Sequence, residues 1–177
     1  MYKKNDLVVY ENSGVCRIDD IRDVDFADEK KKKYYILHPL SGGGTIYTPV
    51  DNTRVSMRSV ISKKEALDII DKIPATKLKS FDGMRTIDLE AKYKECMKTH
   101  DCSDLLCLEM SIYSKCRTAR RTGKKVSDLD DRYFKRLQDL INGELSVALD
   151  IPKESVTDFI AEKMGEPKSR GKKKTAE

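Results

Sequence analysis

Residues 54–74 read RVSMRSVISKKEALDIIDKIP, and the architecture of the chain turns on where the periodicity changes inside them. Arg54-Val55-Ser56-Met57 alternates polar and apolar side chains, as a short half-buried strand does. Ser62-Lys63-Lys64-Glu65 then has the S-x-x-E spacing of a capping box, in which the serine hydroxyl and the glutamate carboxylate satisfy the first free amides of a helix. Ala66, Leu67, Ile69, Ile70 and Ile73 follow at helical spacing, and Pro74 stops the run. Strands therefore precede this stretch and helices follow it.

Upstream, Leu7-Val8-Val9-Tyr10 is a short apolar run, and Glu11-Asn12-Ser13-Gly14 supplies turn chemistry. A second run lies over residues 15–24, with Val15, Ile18 and Ile21, and Tyr34-Tyr35-Ile36-Leu37 is a third. Strand alternation sends adjacent Tyr34 and Tyr35 to opposite faces, one into a core and one outward. Ser41-Gly42-Gly43-Gly44 can only be a turn or loop. Thr45-Ile46-Tyr47-Thr48, closed by Pro49, is a fourth strand, and residues 54–57 form the fifth. Five short strands with tight turns predict a small antiparallel Tudor/SH3-like barrel over residues 1–60, since closure removes exposed edges.

Downstream, residues 75–85 are a polar connector. Residues 86–99 predict a helix with Leu89, Tyr93, Cys96 and Met97 on one face. A third helix, capped by Ser103, runs to about Arg121 and ends at Gly123. Ser127 caps a long helix to about Leu149 that carries Leu129, Tyr133, Leu137, Leu140, Ile141, Leu145 and Ala148 on its apolar side. Pro152 opens a short helix burying Val156, Phe159 and Ile160. The expected fold class is α+β in two domains, a five-stranded barrel followed by an all-α bundle of about five helices over 61–165. A polar, basic tail at 166–177 cannot bury apolar surface and is expected to be disordered. No internal repeat is visible.

With 38% hydrophobic and 37% charged residues in 177, two modest cores fit better than one large one. No apolar run approaches the roughly 20 residues needed to span a bilayer. The opening MYKKNDLVVY has neither an apolar core nor a small-residue cleavage site. An odd set of cysteines (Cys16, Cys96, Cys102, Cys107 and Cys116) reads as reduced thiols, and cytoplasmic localisation is the expectation. The net charge is +5, but its distribution matters more than its sum. Lys115, Arg117, Arg120, Arg121, Lys124, Lys125, Arg132, Lys135 and Arg136 crowd one stretch against only Asp128, Asp130 and Asp131. Such clustering is either the footprint of a polyanion binder or a solvated helix face.

Catalytic chemistry finds little to stand on. His38 and His100 lie near no cysteine at metal-ligand spacing, and there is no CxxC, HExxH or GxSxG. The triple glycine lacks the pattern of a phosphate loop and precedes no helix. The cysteines read as core thiols. The expectation is a protein that is not an enzyme, with no metal and no cofactor.

Taken together, Lys4-Asn5-Asp6-Leu7-Val8-Val9-Tyr10, Gly14-Val15, Tyr34-Tyr35-Ile36-Leu37 and Thr45-Ile46-Tyr47-Thr48-Pro49-Val50-Asp51-Asn52 resemble, in order and spacing, the pattern of the CarD/CdnL family. The N-terminal module of that family also occurs in transcription-repair coupling factor. Lys92-Tyr93-Lys94 resembles its "RYK" segment, and Gly143-Glu144-Leu145 lies in what resembles its terminal helix. The resemblance implies a barrel that binds the β subunit of RNA polymerase and a helical domain that contacts promoter DNA at the upstream edge of the bubble, stabilising the open complex as a monomer.

Carried onto this chain, polymerase contact falls to Arg22 and Val24 at a strand end and to Thr45, Ile46, Tyr47 and Thr48. DNA contact falls to Leu89, Lys92, Lys94, Lys115, Arg117, Arg120, Arg121, Lys124, Lys125 and Arg132. Two departures stand out. The chain has no tryptophan, so Leu89 takes the place of the family's wedge residue, and Tyr47 stands where the family places an arginine. An apolar wedge such as leucine can still insert at a base step. Read without the resemblance, the same features also suit a general nucleic-acid binder that needs no polymerase, or a pure protein adaptor whose basic stretch is merely solvated.

Overall fold

The computed structural model describes residues 1–24 and 32–163; the expected disordered tail lies outside them. Strands β1 (Leu7–Tyr10), β2 (Val15–Val24), β3 (Lys32–Pro39), β4 (Ile46–Pro49) and β5 (Met57–Ser59) come first, followed by helices α1 (Lys63–Lys72), α2 (Thr86–Met97), α3 (Cys102–Arg121), α4 (Asp128–Leu149) and α5 (Val156–Lys163).

All strand pairings are antiparallel, and the sheet runs β4-β3-β2-β1-β5. It is an open sheet, which corrects the expected closed barrel. Closure needs a ladder between β4 and β5, and these are strands of only four and three residues, at opposite ends of the order. The last strand also begins later than the alternation suggested. Residues 54–56 lie in the bend that precedes it, where the Arg54 amide donates to Asn52 Oδ1 at 2.9 Å. One face of the sheet buries Val8, Cys16, Ile18, Tyr35 and Leu37, with Ile21 and Ile46 packed against them. Tyr35 is buried while Tyr34 is half-exposed, as alternation requires. β2 slips register between Ile18 and Asp20, the signature of a bulge.

The capping box forms as read: Ser62 Oγ accepts from the Glu65 amide at 3.2 Å, and Glu65 Oε2 accepts from the Ser62 amide at 2.7 Å. The cap of α3 is Asp101 rather than Ser103; its carboxylate accepts from the amides of Ser103 and Asp104. Being charged, it complements the positive end of the helix dipole better than a hydroxyl. A short 3₁₀ turn, Lys153–Ser155, precedes α5, which buries Val156 fully and Phe159 and Ile160 only in part. The helices share a second core containing Leu89, Tyr93, Leu108, Ile112, Leu137, Ile141 and Leu145. All five cysteines are free thiols; four are buried, and Cys107 is half-buried.

The two cores meet along α4. Gly14, at φ +71°, brings the turn after β1 close to Leu140: a Cβ built there would lie 3.4 Å from Leu140 Cδ2. Alongside, Arg58 of β5 forms a bidentate ion pair with Glu144 of α4, Nη2–Oε2 at 2.7 Å and Nη1–Oε1 completing the fork. Arg58 Nε also donates to the His100 carbonyl at 2.9 Å, and the Ile61 amide donates to Glu144 at 3.3 Å. Glu144 is thus a buried carboxylate with its charge and lone pairs satisfied, the condition under which such a group is tolerated.

Candidate polymerase and nucleic-acid surfaces

β4 forms one end of the sheet, so one side of its backbone has no strand partner among the described residues. An edge of this kind can pair with a strand from another protein. The register sets Tyr47 opposite Ile36 and Thr48 opposite Tyr35. Thr48 therefore points into the core, 2% exposed, where Asn52 Nδ2 donates to its hydroxyl at 2.9 Å. Ile46, two residues earlier, packs against the same core. Thr48 is thus not available to a partner and Ile46 is so only in part, which corrects the expectation that all four residues from Thr45 to Thr48 present themselves. Thr45 and Tyr47 are exposed, Tyr47 at 43%.

On β2, Arg22 pairs with Tyr34, which pairs in turn with Pro49, so Arg22 shares the outer face with Tyr47. Val24 lies two residues further along the same face. The structure thus gathers Arg22, Val24 and Tyr47 onto one face beside one edge.

The helical residues divide into three groups. Leu89 is 5% exposed and belongs to the helical core, which corrects its assignment as an exposed wedge. Helical spacing from Leu89 to Tyr93 and Cys96 turns it inward with them. Ile87, two positions earlier in the first turn of α2, points away instead and is 82% exposed.

Lys115 is likewise structural. Its ammonium lies 2.9 Å from Asp130 Oδ2, a carboxylate only 4% exposed that also accepts from the Tyr93 hydroxyl at 2.8 Å. Burial, reinforced by this bond to a carboxylate, raises the Tyr93 phenol well above its ordinary range. Lys92 pairs with Glu95 at 2.8 Å, and that hydrogen bond raises the lysine and lowers the glutamate. Lys94 and Arg132 both reach Glu90, at 3.1 and 3.2 Å, and Arg132 sits 5.6 Å above the Tyr133 ring. These cations are half-neutralised at the surface.

Arg117, Arg120, Arg121, Lys124 and Lys125 form the third group. All are exposed at the C-terminal end of α3 and in the loop after it. Gly123, at φ +71°, reverses the chain there, with the Lys124 amide donating back to the Ala119 carbonyl at 2.8 Å. Only Lys125 has an ion pair among the described residues, to Asp128 at 3.9 Å, and both partners are almost fully solvated. The favourable placement of Arg120 and Arg121 at a helix C-terminus accounts for part of this clustering. It does not account for the two lysines beyond the helix.

Among the described residues no group of His, Cys, Asp or Glu is placed to hold a metal ion, and no helix is long and apolar enough to cross a membrane. Two residues that matter were not singled out from sequence as acting together: Arg58 and Glu144 lie 86 positions apart, and no local pattern joins them.

No curated protein matches the chain. A family model described as the CarD-like/TRCF RID domain matches residues 2–61, ending between β5 and the cap of α1. Residues 2–61 are therefore a domain of the CarD-like/TRCF RID type, which supports a transcription-related protein that interacts with RNA polymerase.

Proposed function

We propose that this chain is a non-catalytic transcription regulator that grips the β subunit of RNA polymerase with its sheet and leans its helices on promoter DNA at the upstream edge of the bubble, stabilising the open complex. The observation that carries the reading is the RID match over residues 2–61 in a chain whose second half exposes the basic group Arg117–Lys125. Polymerase contact is assigned to the β4 edge with Arg22, Val24 and Tyr47. Tyr47 and Arg22 supply side-chain specificity while the strand supplies backbone pairing.

DNA contact is assigned to Arg117, Arg120, Arg121, Lys124 and Lys125. Contacts of this type hold phosphates and carry no sequence information directly. Tethering makes weak DNA contact sufficient, because a short linkage gives effective concentrations up to about millimolar. Ile87 is the apolar side chain exposed on the helix that was expected to carry the wedge. It is assigned to the base step at the melted junction, where aliphatic residues can unstack a pair.

The deciding measurement is open-complex lifetime with purified polymerase holoenzyme. Charge reversal at Arg120, Arg121, Lys124 and Lys125 is expected to shorten the lifetime while leaving capture of the β subunit intact after nuclease treatment. Tyr47→Ala with Arg22→Ala is expected to abolish capture. Unchanged lifetime in the charge-reversed protein removes DNA from the mechanism and leaves an adaptor. Failure of the wild type to retain the β subunit removes the polymerase.

A further inference from the structure

A groove of about 530 Å³ runs between the connector at Leu78–Asp82, the outer side of α3 and the loop leading into α4. Its volume lies within the range of about 300–1,000 Å³ typical of small-molecule sites. Its lining differs from the cores of this protein. Along α3, Ser111, Ser114, Thr118 and Thr122 recur at steps of three or four, so one helix face carries hydroxyls along the groove. The connector is pinned across it, because the Lys79 amide donates to the buried Ser111 hydroxyl at 3.0 Å.

Within the groove the positive charge outlasts the internal pairing. Asp130 is taken up by Lys115 and Tyr93, while Asp82, which accepts from Ser80 at 2.9 Å, keeps its charge and is outnumbered in the lining by Lys79, Lys124 and Lys125. Lys124 lies at the mouth beside Ser127, the N-cap of α4, together with Lys125, whose one ion pair among the described residues is the loose, solvated contact to Asp128 at 3.9 Å. The apolar part of the wall is Leu78, 39% exposed, and half-buried Val126; Phe81 backs it from the core, 5% exposed, with its ring edge-on against Tyr93 at 5.0 Å. A cationic, hydroxyl-bearing mouth joined to an apolar wall matches a ligand with phosphate at one end and a flat organic body at the other. A lone phosphate is too small to use the wall, and a duplex is too wide to enter.

We propose that this groove binds a phosphorylated small molecule of mononucleotide size, with its phosphates at Lys124, Lys125 and Ser127 and its body against Leu78, Val126 and the Thr118 face of α3. The site goes beyond the DNA reading and shares two lysines with it. An occupied groove therefore withdraws Lys124 and Lys125 from DNA, giving the regulator a small-molecule input.

The test is calorimetric titration of the full chain with ADP, GDP, pyrophosphate and adenosine. ADP or GDP is expected to bind with a Kd of about 1 mM or tighter, pyrophosphate at least about tenfold more weakly, and adenosine not measurably. Lys124→Gln with Lys125→Gln is expected to weaken nucleotide binding about tenfold or more. Thr118→Phe, which fills the groove and leaves every charge in place, is expected to do the same. Should that variant fail to fold, Ser114→Leu on the neighbouring exposed turn replaces it. Arg120→Gln with Arg121→Gln makes the same charge change outside the lining and is expected to stay within about twofold of wild type. The proposal is overturned by absence of nucleotide binding at millimolar concentration, by pyrophosphate binding as tightly as ADP, by wild-type affinity in the groove-filling variant, or by equal loss in the Arg120/Arg121 variant.

Discussion

Removing Arg58 is the most informative single perturbation of the fold, because it strips the charge partner from a carboxylate that water barely reaches. Glu144 is 4% exposed at its side chain and Arg58 28%. Arg58→Ala removes both guanidinium bonds and leaves Glu144 with two neutral partners, the Ile61 amide at 3.3 Å and the Cys102 thiol. Breaking a buried pair from one side costs about 3–5 kcal/mol, since an uncompensated charge remains inside. Arg58 is more than a quarter exposed, so water can partly replace it, and the expected loss is at the lower end, about 3 kcal/mol.

Glu144→Gln keeps the shape and one acceptor, and is expected to cost less, about 1–2 kcal/mol. Arg58→Met with Glu144→Leu removes both charges and is expected to recover most of the stability, because apolar side chains of similar volume avoid the desolvation penalty. The assay is urea unfolding of the full chain at neutral pH, followed by far-ultraviolet circular dichroism, with the double-mutant cycle closed. A single transition splitting into two in Arg58→Ala would show that this pair makes the sheet and the helices unfold as one. A loss below about 0.5 kcal/mol in Arg58→Ala, with no coupling in the cycle, refutes the assignment of this pair as the joint between the two cores.

Three further outcomes follow from particular residues. Burial pushes the Glu109 carboxyl up to about 7, so the folded chain holds a proton there that the unfolded chain, with the ordinary value of 4.5, has released. Stability contributed at this position is therefore full below about 4.5, falls as pH rises through 7 and is flat above. Glu109→Gln should match wild type in melts near pH 4.5 and exceed it at pH 8 by up to about 3 kcal/mol; parallel curves would sink this. Gly14 holds φ +71° and ψ −147°, a region nearly closed to other residues, with Leu140 against it. Gly14→Ala should cost about 1–3 kcal/mol in denaturant melts, and a neutral result would mean that the turn can relax. Lys115→Gln should lower stability by about 1–3 kcal/mol, because Asp130 loses its ammonium, yet leave the salt dependence of DNA binding unchanged. Arg117→Gln should do the reverse, leaving stability intact and reducing the slope of log K against log salt by about one; a changed slope in the lysine variant would return it to the DNA surface.

The order of elements, the boundary between strands and helices, the capping box at Ser62 and the inward faces of α2 and α4 were all legible in the sequence. Each rests on interactions within a few residues, where a period of two or of 3.6 and a cap at fixed spacing leave a local imprint. The motif order over residues 4–52 likewise sufficed to place the first domain in its family.

What the linear chain could not carry was the outcome of competition between distant groups. Leu89 drew two opposed readings, inward by helical spacing and outward by its place before Lys92-Tyr93-Lys94, and the packing of α2 decides for burial while Ile87 stays exposed. Lys115 and Lys124 are both lysines of one basic stretch, but the fold brings Asp130 to the first and leaves the second at a groove mouth. Whether the sheet closed depended on the lengths of β4 and β5 and on their places at opposite ends of the sheet. Charge and hydrophobicity are properties of a residue, whereas exposure and pairing belong to its surroundings, and those are fixed only when segments as far apart as Arg58 and Glu144 are brought within hydrogen-bonding distance.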